Sequence, residues 1–123
     1  MKNAINWFNI PISDYDRAKS FYETILDIQL MDFDMDGSKM AFFPADEDGV
    51  GGSLSESQGQ FSPLVNDNVS IYLNAPNLQE SLNKVDSAGG KLIMDKTMIS
   101  PDFGFFGLIV DTEGNKIGLH APN

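Results

Sequence analysis

The sequence predicts an α+β fold of two paired βαβββ modules forming a cupped mixed sheet. Three observations predict it: a strand-then-helix pattern that occurs twice, a capping residue before each helical stripe, and Gly-containing turns between the strands that follow. In the first copy, Ile5 to Ile12 alternates Trp7 and Asn9 on one side with Phe8, Ile10 and Ile12 on the other, the period of a strand with one buried face. Asp14 then offers a carboxylate to the orphan amides of a helical first turn. Behind it Ala18, Phe21, Tyr22, Ile25 and Leu26 recur at i, i+3, i+4, i+7 and i+8, the stripe of an amphipathic helix. Three strand-like pieces follow: Ile28 to Met35, Ser38 to Phe43 joined to it through an Asp36-Gly37 turn, and a Gly-rich stretch from Val50 to Ser55.

The second copy repeats this order. Val69 to Asn74 reads as a strand, Asn77 as an N-cap, and Leu78, Leu82, Val85 and Ala88 as a stripe ended by Gly89-Gly90. Lys91 to Met98, Phe105 to Asp111 and Asn115 to His120 are the strands after it, the last two joined through Glu113-Gly114. Laying Asp14 on Asn77 places Trp7 on Ser70 and Phe8 on Ile71. The modules are expected at residues 1–57 and 68–123 of a single domain, with a linker at 58–67 rich in polar residues. One helix covers one face of each sheet and leaves the other concave. Alternation assigns Phe8, Ile10, Ile71 and Leu73 to the helix side. Trp7, Asn9, Ser70, Tyr72 and Asn74 fall to the concave side, and parity from Gly118 sends His120 to its rim.

Composition narrows the function classes. A chain of 123 residues fits one domain, and a formal net charge of -10 opposes nucleic-acid phosphates and anionic membrane surfaces. No apolar run reaches the roughly 20 residues of a membrane span, and the start carries no signal-peptide profile, so a cytoplasmic location is expected. With no cysteine there are no disulfides, thiolate ligands or Cys nucleophiles.

The helix motif Asp14-x-Asp16-Arg17-Ala18-x-x-Phe21-Tyr22 and the hairpin motif Asp111-Thr112-Glu113-Gly114-Asn115-x-Ile117-x-Leu119, with Gly51-Gly52-Ser53-Leu54 between them, resemble those of the glyoxalase / bleomycin-resistance / extradiol-dioxygenase superfamily, the vicinal oxygen chelate proteins. The resemblance covers nearly the whole chain. It implies a homodimer and a small-molecule pocket in the cup. In metal-dependent members it would place ligands at Trp7, Ser70, Gly118 and close to Ser53, and none of these is a carboxylate or imidazole. A catalytic divalent site needs about three protein ligands and an open position. No metal and no cofactor are therefore expected. The reading is a metal-free pocket for a small molecule, with Trp7 as a stacking wall suited to an aromatic ligand and Asn9, Ser70, Tyr72, Asn74 and His120 as contacts. The alternatives are a glyoxalase-like lyase or isomerase with ligands elsewhere, and a non-enzymatic interaction module with a filled cup.

Three further motifs carry expectations. Asp32-Phe33-Asp34-Met35-Asp36-Gly37 imitates a calcium loop but has Phe43 where the twelfth-position Glu belongs. It reads instead as a strand edge with its aspartates outward and Met31, Phe33 and Met35 inward. Of Phe105 and Phe106, one should enter the core and the other face the cup. Gly51-Gly52 marks a bulge or a close strand approach. There is no phosphate loop and no Gly-x-Ser-x-Gly elbow.

Overall fold

The order strand, helix and three strands occurs twice in the computed structural model, which describes residues 4–35, 37–56 and 70–123. The first module comprises β1 (Trp7–Ile12), α1 (Tyr15–Leu26), β2 (Met31–Met35), β3 (Ser38–Phe42) and β4 (Gly51–Glu56). The second comprises β5 (Ile71–Asn74), α2 (Leu78–Lys84), β6 (Lys91–Ser100), β7 (Gly104–Val110) and β8 (Lys116–Ala121). The strands form two four-stranded mixed sheets, ordered β1-β4-β3-β2 and β5-β8-β7-β6. In each, the first and last strands of the module run parallel and the other pairs are antiparallel. β1 and β5 each lie at a sheet edge. The expected linker at 58–67 lies outside the described residues.

The local signals act as their chemistry dictates. The Asp14 carboxylate accepts from the Arg17 amide at 3.1 Å, capping α1, and the helix ends where Asp27 turns left-handed at φ 54°. Its buried stripe of Ala18, Phe21, Tyr22 and Ile25 packs into one core with Ile10, Ile12, Ala41 and Leu54 of the first sheet. Leu73, Leu82, Val85, Ile109 and Leu119 continue that core in the second module. Asn77 stands at the start of α2 but makes no side-chain capping bond.

Gly52 answers why the fourth strand is glycine-rich. A Cβ there would lie 2.1 Å from the Phe8 ring, so the close approach is between backbone and aromatic side chain. The acidic strand is turned opposite to expectation. Asp32 bonds the Tyr15 hydroxyl and, at 2.8 Å, the Lys19 ammonium of α1, placing the aspartates on the helix side. Met31 and Phe33 lie on the open face, 65% and 43% exposed.

A polar joint holds the last hairpin to the first helix. Glu113 has no exposed side-chain surface. Its Oε1 accepts from the Ser13 amide and hydroxyl at 2.8 Å and from the Asp14 amide at 2.9 Å. Its Oε2 accepts from Arg17 Nε at 2.8 Å and the Thr112 hydroxyl at 2.7 Å. The carboxylate thus sits where α1 presents unpaired amides and the positive end of its dipole. Beside it, buried Asp111 accepts from the Tyr22 hydroxyl at 2.6 Å and from the amides of Glu113 and Asn115, while Asn115 Nδ2 donates to Pro11 O at 2.9 Å. Burial, then the Asp111 charge, push the Tyr22 hydroxyl well above its ordinary range and keep it a donor.

Burial alone would raise the Glu113 carboxyl, but the bonds from Arg17, Thr112 and the Asp14 and Ser13 amides outweigh it and hold it at about 2. A depressed folded pKa adds stability that is complete above the unfolded value of about 4.3 and is lost as pH falls towards 2. Glu113→Gln is expected to lower stability at pH 7 by roughly 3 kcal/mol, since it leaves Arg17 and buried amides without their anion. Melting followed from pH 7 to 2 should fall less steeply between pH 5 and 2 in the variant than in the parent. Gly52→Ala is expected to cost about 1–3 kcal/mol in denaturant unfolding through its collision with Phe8.

Candidate functional site

Each sheet has one face covered by its helix and one open face, and alternation decides what the open faces carry. On the first sheet these are Trp7 and Asn9 of β1, Gly51, Ser53 and Ser55 of β4, Met40 and Phe42 of β3, and Met31 and Phe33 of β2. The Trp7 indole, 45% exposed, lies over Gly51, where a Cβ would come within 2.9 Å of its Cζ3. It meets Phe42 edge-on at 5.2 Å between centroids, and Phe42 stacks on Phe33 at 5.1 Å. The result is an aromatic wall open on one side.

A polar relay runs along the foot of that wall. Trp7 Nε1 donates to Ser53 Oγ at 3.4 Å, and the hydroxyls of Ser53 and Ser55 both donate to Asn9 Oδ1, at 2.9 and 2.5 Å. Ser53 is fully buried, so its hydroxyl hydrogen must have a partner, and Asn9 Oδ1 supplies it. That fixes the amide with its oxygen towards the strand.

The second sheet repeats the theme. Tyr72, 54% exposed, covers Gly118, where a Cβ would lie 2.4 Å from the ring, and faces Phe106 at 6.5 Å. Phe105 packs on the core side instead, under the Lys96 ammonium. Asn74 stands opposite His120, whose Nε2 donates to Phe103 O at 2.6 Å and so ties β8 to the β6–β7 turn. Ser70 is exposed just before β5.

Trp7 and Asn9 are therefore joined, through Ser53, on one sheet, and Tyr72, Asn74 and His120 share the other. Ser70, Tyr72 and Asn74 also border a cleft of about 960 Å³ between the C-terminal end of α1 and α2, whose apolar wall includes Phe8, Ile25 and Phe43. Among the described residues no hydrogen bond or ring contact joins the two groups. Ser55, Phe42 and Phe33 were not singled out from sequence. The period of two through β4 and its neighbours was the signal that could have found them.

The ligand positions of a metal-dependent relative do not fit a metal here. Trp7 offers only an N–H donor, the Ser53 hydroxyl is engaged in the relay, Ser70 is an exposed hydroxyl, and any side chain at 118 would strike Tyr72. Among the described residues no three His, Asp or Glu side chains gather in a way that could hold an ion.

The sequence model of the Glyoxalase/Bleomycin resistance protein/Dioxygenase superfamily matches residues 4–119. No curated protein matches the chain. Among solved structures, a glyoxalase I mutant from Zea mays is similar with a TM-score of 0.74 and 21% identity, over 94% of this chain and 46% of that one. This chain thus spans less than half the length of the maize protein. A glyoxalase/bleomycin resistance protein from Albidiferax ferrireducens is similar with a TM-score of 0.72 and 13% identity, over 95% and 97% of the two chains. A mutant of the fosfomycin resistance protein FosX from Listeria monocytogenes, complexed with Mn(II) and a dihydroxypropylphosphonic acid, has a TM-score of 0.67 and 15% identity over 100% and 95%. At these identities the likeness establishes the fold alone.

The glycine under Trp7 gives a test of the wall. Gly51→Ala should displace the indole, because the obstacle is the far end of a side chain that can turn away. As Trp7 is the only tryptophan, its emission maximum should move to longer wavelength while stability changes by less than about 1 kcal/mol.

Proposed function

We propose, because this chain belongs to the Glyoxalase/Bleomycin resistance protein/Dioxygenase superfamily, that it is a metal-free binding protein for a small conjugated molecule, acting as a cytoplasmic homodimer. The observation that carries this reading is the aromatic wall with its relay: a half-exposed indole held over Gly51 by Ser53 and backed by Phe42 and Phe33. A core plug would be buried. A flat, part-apolar surface with a few oriented polar groups is the usual make-up of a small-molecule site. Trp7 and Tyr72 are the stacking walls, Asn9 and Asn74 the orienting amides, and Ser70 and His120 polar contacts at the margin.

The homodimer reading is supported by the open faces and by the edge positions of β1 and β5, whose outer backbone groups pair with no other strand among the described residues and could meet a second copy. A second copy bringing its Tyr72 face over the Trp7 face would enclose a ligand from both sides. No bond-making step is assigned, since among the described residues no pair of side chains on either open face forms a nucleophile with its base.

Thermal shift against a set of planar aromatic compounds is the test. Compounds at 100 times their Kd should raise the stability by about 2.7 kcal/mol, and Trp7→Ala should abolish the effect without unfolding the chain. No shift with any compound would favour an interaction module over a binding protein.

A further inference from the structure

The charges of this chain are segregated between the two faces of its sheets. The protein carries 18 acidic residues, yet among the described residues the strands of the first sheet turn none of them to the open face. Asp32 and Asp34 of β2 and Glu56 of β4 have the opposite parity, with Asp32 bonded to Tyr15 and Lys19 of α1. The second sheet repeats the arrangement. Lys91 and Lys116 both stand opposite Val110, and their faces continue through Gly118, Leu108 and Met94 to His120, again without a carboxylate. Asp95 of β6 turns away to bond Gln79 of α2.

Asn9 adds direction to this field. Its Oδ1 already accepts two hydroxyl hydrogens, so the exposed Nδ2 presents both of its N–H groups, and neither has a partner among the described residues. The wall therefore ends in donors. We infer that the ligand is a planar aromatic carboxylate, its ring stacked on the Trp7 indole and its carboxylate taken by Asn9 Nδ2 beside the lysines of a second copy. This rests on the binding reading above and adds the sign of the ligand's charge. The overall charge of -10 does not oppose it at close range: at physiological salt the screening length is about 8 Å, so a bound anion responds to the carboxylate-free faces more than to aspartates behind the sheets.

Calorimetric titration of the full chain with 2-naphthoate and with 2-naphthylmethylammonium, equal in ring and opposite in charge, tests the inference. The carboxylate should bind at least about tenfold more tightly, the scale of one charge-assisted hydrogen bond. Asn9→Asp keeps the acceptor for Ser53 and Ser55 and replaces the donors by negative charge, so it should reverse the order. Lys116→Gln, on an exposed side chain that leaves folding intact, should weaken naphthoate about threefold and leave the amine unchanged. Equal affinity for the two probes, or an order that Asn9→Asp leaves in place, would overturn this inference and leave the binding reading standing. Failure of both probes to bind would overturn the two together.

Discussion

The Glu113 carboxylate is the constraint on which the arrangement of this molecule depends. It belongs to the last hairpin and is satisfied by the first turn of the first helix, 100 residues earlier in the chain for Ser13. A buried anion has few acceptable surroundings, and an uncapped helix start is one of them. Meeting both needs at once fixes the β7–β8 hairpin against α1. Asp111 and Asn115 extend the lock to Tyr22 and to the backbone of β1. Each bond is modest in net energy, but leaving any member unpaired would cost a buried polar group its partner.

With the modules joined through their helices and this hairpin, the sheet faces opposite the helices carry no described element over them. The chain fills them in a consistent way. Glycines at 51 and 118 let large aromatic rings lie down on the strand beside them, Trp7 on one sheet and Tyr72 on the other. The same two rings remove the room that a metal ligand would need.

Much of this was legible in the sequence because it follows from periodicity. The stripe from Ala18 to Leu26 and the alternation around Trp7 and Tyr72 place those side chains on the faces where they are found. The fold and the family were accessible for the same reason, since the Asp14 to Tyr22 and Asp111 to Leu119 motifs are the two sides of the Glu113 and Asp111 joint. The acidic strand β2 was read the wrong way round. The rule that apolar residues point inward fails on a sheet whose far face is an open aromatic surface, where Phe33 stacks on Phe42 and Asp32 finds a lysine and a tyrosine behind. The relay was also out of reach. Two serines and an asparagine have no pattern of their own, and only the register that sets Asn9 beside Ser53 gives them a common role.

All of this turns on a site proposed to work without a metal ion. The most direct test is elemental analysis of protein purified without a metal-chelating affinity step, read together with melting in the presence of a chelator. A metal-free site should give far less than one metal per chain and a melting temperature unmoved by the chelator. A near-stoichiometric metal whose removal lowers the melting temperature would contradict it and place ligands at positions other than Trp7, Ser53, Ser70 and Gly118.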